Sequence, residues 1–442
     1  MRLKTLLSAC VSALLCFLLC GCSLFATDTA ELLSPPALSG DLAPIADAIS
    51  KSVGGDYTLK YPSGGNFRSA VVQNDIDGDG LFEAFAFYST GGGSSDAAST
   101  MHINIICSRD GEWVSAAEQS IVAGGVDRID FCDLDGDGVQ EILVGWEIYS
   151  TSKMQLAVYS FKDNKITQRM LQEYSCFVCC DLDEDGANEV FIINHTPAEQ
   201  KNSASVYRLT DTGVTELYSC ELDRTVQSVS EPVVSYLSSG RPAVYIDEVK
   251  GVGAVTEVLF VERNRLVNPL LNTESRENLS TIRSVGLTVS DINNDGVIEI
   301  PIQENVPSIT KSDVNEKVYL TNWCSYNGET LTNQMTTMID RENGYYYIIS
   351  QKWLGQIAIL KDNNSVSREI YRYNSETMTA GERLITFTAV KKSDWDSGKY
   401  SDDNYEEITN DGITAYLCKI SEAGKAEGIT LDTVKQNFRF FE

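Results

Sequence analysis

Histidine is nearly absent. The 442-residue chain has two, and its 35 Lys and Arg face 63 Asp and Glu. His102 lies in the strand-like MHINII and His195 follows FIIN, and neither belongs to a Ser/His/Asp or HExxH constellation. The shortage of basic side chains argues against a nucleic-acid partner, because phosphate is held mainly by Lys and Arg. A Gly-rich phosphate loop is also missing. STGGGSSD, Ser89–Asp96, lacks the following Lys and helix and reads as a connecting loop. CFVCC, Cys176–Cys180, has no matching second half and is not a zinc pattern. Beyond the N-terminus, no stretch is apolar enough to span a bilayer. Only ten prolines and a dispersed charge argue against wholesale disorder.

The N-terminus is a targeting segment. Arg2 and Lys4 precede an apolar run of 16 residues, Thr5–Cys20, short of the roughly 20 a membrane helix needs. The run ends in LCGC, Leu19–Cys22, which resembles a bacterial lipobox. Cys20 departs from the usual Ala, Ser or Thr at its position. The resemblance implies a signal peptide at 1–21, lipidation of Cys22 and a tether at 22–40. The protein would then sit outside the cytoplasm, its membrane partner reached through the lipid anchor. The competing reading is an ordinary cleaved signal or an uncleaved anchor. Loss of 1–21 removes only Arg2 and Lys4 and leaves a net charge of −30, which suits cation binding. Eight cysteines follow Cys22. Cys132, Cys179 and Cys180 sit in apolar segments and read as buried small hydrophobes, although disulfides remain open in an oxidising compartment.

A short acidic phrase recurs: DIDGDGLFE from Asp75, DLDGDGVQE from Asp133, DLDEDGANE from Asp181 and DINNDGVIE from Asp291. A copy without acids, SYLSSGRPAVYI from Ser235, keeps its glycine, Gly240. The intervals are then 58, 48, 54 and 56 residues, the mark of a repeat architecture. In each unit an apolar lead-in precedes the phrase. A run rich in Val, Ile, Phe and Tyr follows, then further strand-like runs ending in polar turns. Three to four strands about every fifty residues suit a β-propeller blade.

Carboxylates at positions 1, 3 and 5 of a tight loop can converge on one point, and glycine at position 6 permits the bend. With a backbone carbonyl at position 7 and an acid at position 9, the oxygen set suits Ca²⁺. An EF-hand fails, because position 12 is Ala86, Val144, Ile192 or Ile302 instead of Glu. The pattern D-x-D-x-D-G-x-x-[DE] between strands, at this period, resembles the calcium-binding repeats of integrin-α-type propellers, known in bacteria as FG-GAP or VCBS-type repeats. It covers about residues 60–335 and implies an all-β propeller of about five to seven blades with three to four structural Ca²⁺ ions. The ligands implied are Asp75, Asp77, Asp79 and Glu83; Asp133, Asp135, Asp137 and Glu141; Asp181, Asp183, Asp185 and Glu189; and Asp291, Asn293, Asp295 and Glu299. Carbonyls of Leu81, Val139, Ala187 and Val297 would complete them. Glu184 replaces a small residue in the third loop, and Asn293 removes a charge from the fourth. Solvated acidic turns without an ion are the bland alternative.

The propeller domain is expected over 41–335, opening with a helix over Asp41–Val53 capped by Asp41. Residues 336–442 read as a small β-rich C-terminal domain ending in a helix capped at Thr430, with Leu431, Val434 and Phe438 on one face. Gly344 and Gly412 instead mark closing blades if the propeller continues. Trp113, Trp146, Tyr149 and Trp323 suit core packing for the most part, with the stretch around Trp146 the best candidate for an exposed rim. No catalytic residues are assigned. The function expected is a lipid-anchored binding or scaffold protein for a glycan or protein ligand; the alternative is a surface polysaccharide hydrolase or lyase on the same fold.

Overall fold

The computed structural model describes residues 42–90, 99–148, 153–210, 213–306, 319–361, 367–400 and 403–441. The signal peptide, the tether, Cys22, Asp41, Tyr149 and most of the Ser89–Asp96 loop lie outside them. Among the described residues the chain is mostly strand, arranged in six antiparallel sheets with few helices. No helix there is long and apolar enough to cross a membrane.

The chain divides into two compact units, residues up to 131 with 138–171, and residues 132–137 with 172 onward. In the first unit, helix Ala43–Val53 has Pro44 in its first turn and closes on Gly54, left-handed at φ 64. Ile45, Ala48 and Ile49 recur at helical spacing and bury against Val71, Ala84, Ala86, Tyr88 and Ile106 of the first sheet. That sheet runs from Tyr57–Leu59 to Glu112–Ala123, and the second from Gly125–Cys132 to Lys165–Tyr174. A shared core of Phe85, Phe87, Ile103, Ile129, Val144, Trp146 and Tyr159 joins their faces.

The rim expected at Trp146 is therefore core. Trp146 is fully buried, edge-on to Phe87 at 6.0 Å, and its Nε1 donates to Tyr159 Oη at 3.3 Å. The neighbouring sheet face covers it, and a sequence window cannot reveal that cover. Trp323 is likewise buried, its Nε1 donating to Thr337 Oγ1 at 3.0 Å.

In the second unit, the third sheet (Cys176–Cys180 to Gly213–Glu221) shares a core with the fourth, centred on Pro242–Lys250 and Gly253–Val261. The fourth shares another with the fifth, which begins at Ile300–Asn305. The fifth shares a third with the sixth, built from Ile357–Lys361, Ser367–Asn374, Thr379–Lys391, Glu406–Asn410 and Thr414–Ile420. Sheets consecutive in sequence thus pack face to face within each unit. Of the three cysteines expected to be buried, Cys180 is, whereas Cys132 and Cys179 are half-buried; Cys324 and Cys418 are buried too, and burial raises the Cys180, Cys324 and Cys418 thiols to about 12, 11 and 12.

Gly344 and Gly412 do not open new sheets. Gly344 lies in the turn between Leu331–Asp340 and Tyr345–Ile348, and Gly412 in the hairpin between Glu406–Asn410 and Thr414–Ile420. Nor does the chain end in a helix. Helix Leu431–Asn437 has the expected Thr430 cap, Oγ1 accepting from Thr433 N at 3.2 Å, and buries Val434. It then turns directly into strand Phe438–Phe440, which pairs with Tyr345–Ile348 and completes the fifth sheet. Phe438 stacks on Tyr345 with ring centroids 4.8 Å apart. Helical periodicity alone could not separate Phe438 from the helix, because its partner is nearly a hundred residues away. Phe438→Ala is expected to cost about 3–5 kcal/mol of stability in equilibrium unfolding of the full chain.

Candidate functional site

Each acidic phrase connects the lead-in of a sheet to its next strand. The first lies between Val71–Asn74 and Glu83–Thr90, and the third between Cys176–Cys180 and Glu189–Thr196. The fourth closes on an antiparallel bridge, Ser290↔Glu299. The turns are built alike. The position-1 carboxylate accepts from the backbone ahead: Asp75 from Gly78 N and Gly80 N at 2.8 and 3.0 Å, Asp133 from Gly136 N at 2.8 Å. Asp181 takes Asp185 N and Gly186 N at 3.1 and 3.0 Å, and Asp291 takes Asp295 N and Gly296 N at 3.0 and 2.9 Å. The position-5 aspartates Asp79, Asp185 and Asp295 accept from the residue two further on, at 2.7–3.1 Å.

Position 6 is left-handed in all four turns, with φ of 86°, 87°, 91° and 87° at Gly80, Gly138, Gly186 and Gly296. Gly240 of the acid-free copy has φ 86°, so that copy keeps the bend after losing its acids. Position 4 is also left-handed, held by Gly78, Gly136, Glu184 and Asn294. A glutamate there carries a steric cost that glycine lacks. Consecutive turns also meet. Gln140 N donates to Ile76 O at 2.7 Å, and Asn188 Nδ2 to Asp133 O at 3.0 Å.

Position 9 turns inward. Glu83, Glu141, Glu189 and Glu299 are all buried, and Glu189 and Glu299 have no exposure. One oxygen of Glu83, Glu189 and Glu299 accepts the position-2 amide, from Ile76, Leu182 and Ile292, at 3.0–3.2 Å. Carboxylate oxygens of Asp75, Asp77 and Glu83 lie within 4.8 Å of one another, as do those of Asp133, Asp135 and Glu141, and of Asp181, Asp183 and Glu189. The position-5 aspartates stand outside these groupings. Burial foremost, then neighbouring acids, raises Glu83, and the same causes push Glu299 up to about 7. These all-oxygen carboxylate groups could hold a metal ion.

The four turns meet that need differently. The strand residue following the registered pairs Ala84↔Ile106, Ile142↔Tyr159, Val190↔Tyr207 and Ile300↔Cys324 is Cys107, Ser160, Arg208 or Ser325. Ser160 Oγ donates to Glu141 at 3.1 Å. Arg208 is longer and charged. Its Nη2 lies 3.1 Å from both Asp183 oxygens and bonds Glu189, while its Nη1 lies 2.8 Å from Asp185 Oδ2. Tyr218 Oη adds a bond to Asp183 at 3.0 Å. A guanidinium therefore spans the third set of carboxylates. In the fourth turn, Asn293 Nδ2 donates to Asp295 at 2.9 Å and Glu299 at 3.3 Å. Asn293 was legible in the sequence as one charge fewer in the fourth turn, but the Arg208 contact was not. Arg208 lies 19 residues beyond Glu189, and only strand register brings them together.

His102 stacks on Tyr88 at 4.9 Å and bonds Glu118 and Thr90 at 2.6 and 2.9 Å. Beside the first turn a cavity of about 320 Å³ is lined by Asp77, Asp79, Glu83, Arg109, Phe161 and Lys162, among others.

No family model matches the chain, and no curated protein matches it. Solved structures do. An exotype rhamnogalacturonan lyase is 12% identical, over 73% of this chain and 84% of its own, with a TM-score of 0.31. The Bacillus licheniformis rhamnogalacturonan lyase is 12% identical, over 82% and 91%, at 0.31. The periplasmic gluconolactonase of Pseudomonas aeruginosa is 11% identical, over 73% and 86%, at 0.28. Likeness at this level leaves the reading of the chain to its own residues.

Glu184→Gly is expected to stabilise the protein by about 0.5–1 kcal/mol, by relieving the left-handed glutamate. A thermal melt checks this, and an unchanged or lowered midpoint would show that the third turn carries no such cost.

Proposed function

We propose that this chain is a calcium-braced β-propeller, carried outside the cytoplasm on a lipid at Cys22, that binds a glycan or protein ligand. The observation that carries the reading is the repeated turn: the same carboxylate-to-amide bonds, the same left-handed glycine and the same buried glutamate at the start of successive sheets. The face-to-face packing of consecutive sheets supports the propeller. Calcium would brace the first two turns through Asp75, Asp77, Asp79 and Glu83, and Asp133, Asp135, Asp137 and Glu141, cancelling their mutual repulsion. The third turn, with Asp181, Asp183, Asp185 and Glu189, holds a competing cation in Arg208. The fourth, with Asp291, Asn293, Asp295 and Glu299, carries one charge fewer. The cavity beside the first turn combines acids with Arg109, Lys162 and the Phe161 ring, a lining that suits a polyhydroxylated ligand.

Metal analysis of the secreted chain should find bound calcium, and chelation should lower the melting temperature. At a hundredfold excess over Kd, each occupied site contributes about 2.7 kcal/mol. Metal-free protein with an unchanged melt would sink the calcium reading. Arg208→Ser, which gives the third turn the serine found beside Glu141 and Glu299, should increase the calcium-dependent shift by roughly one site's worth. The binding role is checked by screening the same protein on glycan and protein panels alongside assays for release of sugar ends. Turnover of a polysaccharide would replace binding with hydrolase or lyase activity.

A further inference from the structure

The fourth sheet, whose surface turn has lost its acids, holds acids inside instead. Glu248 on Pro242–Lys250 and Glu257 on Gly253–Val261 have almost no exposure, at 1% and 0%. Glu257 pairs in register with Ile246, two residues before Glu248, so the two carboxyls share one face and lie diagonally across the strands. Burial foremost raises both, and each feels the other.

Their surroundings supply oxygen. Asn202 Nδ2 donates to Glu248 Oε1 at 2.8 Å and to the Asp223 carbonyl at 3.0 Å. Asn268 Nδ2 donates to Glu257 Oε1 at 2.7 Å and to the Glu221 carbonyl at 3.3 Å. Two acceptors apiece fix which way each amide points. Asp223 N adds donors to Glu257 at 3.1 and 3.2 Å. Three buried acceptors then receive no hydrogen bond: Asn202 Oδ1, Asn268 Oδ1 and Glu248 Oε2. Asn202 itself is only 5% exposed.

The nearby cation is committed elsewhere. Lys250 Nζ is shared among Asp223 Oδ2, Glu277 Oε2 and the Asn278 carbonyl, at 2.7, 2.9 and 3.4 Å. Two buried carboxyls ringed by acceptor oxygens need positive charge. A proton shared between the carboxyls would satisfy Glu248 Oε2 but leave both amide oxygens bare. A metal ion supplies that charge and takes several acceptor oxygens at once.

We propose that Glu248 and Glu257, with the side-chain oxygens of Asn202 and Asn268, form an internal site for a divalent cation of the calcium type. Two carboxylates balance a 2+ charge. Carboxylate and amide oxygens in irregular array suit Ca²⁺, whereas Mg²⁺ demands near-octahedral geometry and keeps its waters. Asn202 also lines a cavity of about 440 Å³, together with Lys201, Glu221, Leu222, Arg224 and Arg276. The site is independent of the surface turns, and the experiment keeps the two apart.

Bound calcium is counted by elemental analysis after dialysis, and titrated calorimetrically, in the full chain and in four variants. Glu248→Gln and Asn268→Ala should each lose one equivalent relative to wild type. Asp77→Ala, in the first surface turn, should lose a different one, and Glu248→Gln/Asp77→Ala should lose both. Equal calcium in wild type, Glu248→Gln and Asn268→Ala overturns the internal site, whatever the result at Asp77. In that case a shared proton holds the pair, and Glu248→Gln, which mimics the protonated carboxyl, should melt no lower than wild type in chelator. Should Glu248→Gln fail to fold, the half-buried Asn268→Ala decides alone.

Discussion

A buried carboxylate that demands an answering partner is the constraint around which the turns of this chain are organised. Glu83, Glu141 and Glu189 each begin a strand, Glu299 sits on a bridge just before one, and each is drawn under its turn. In three of them, one oxygen closes the turn by taking the position-2 amide. In the first three turns a glutamate oxygen lies within 4.8 Å of the position-1 and position-3 aspartates, so the geometry that shapes the hairpin also concentrates negative charge. Each repeat must answer that charge, and the answers differ: a serine hydroxyl at Glu141, a guanidinium at Glu189, an amide at Glu299. A cation shared by the aspartates is the answer common to the first two turns under the proposed reading.

The Ser235 copy shows what remains when the demand is removed. Gly240 keeps its left-handed conformation and the turn still links two strands, so the bend belongs to the backbone and not to the acids. Acid reappears in the same sheet at Glu248 and Glu257, now between strands and out of solvent. The position-8 residues tie neighbouring turns through Ile76 O and Asp133 O, which couples the shape of one turn to the placement of the next. Ligand binding, in this view, falls to surfaces beside the turns and not to the turns themselves.

Local features were legible before any coordinates. The acidic phrases, their glycines and the Thr430 cap all depend on residues within about a dozen positions, where spacing reports geometry directly, and the period follows from their recurrence. Helix Ala43–Val53 followed from its apolar spacing in the same way. Trp146 failed as a rim because its environment comes from a facing strand. The continuation of Gly344 and Gly412 into new sheets failed because a glycine marks a tight turn of any kind, and here both serve ordinary hairpins.

The sequence by itself determined an acidic, β-rich chain of repeated turns able to gather carboxylates, because each turn is a nine-residue affair of Asp, Gly and Glu. Only the tertiary structure decided what neutralises them. Arg208 reaches the third turn through strand register, Phe438 leaves its helix to complete a sheet begun at Ile300, and Asn202 reaches Glu248 from 46 residues away in the chain. Those contacts are set by pairing and burial between distant segments, which no local pattern encodes.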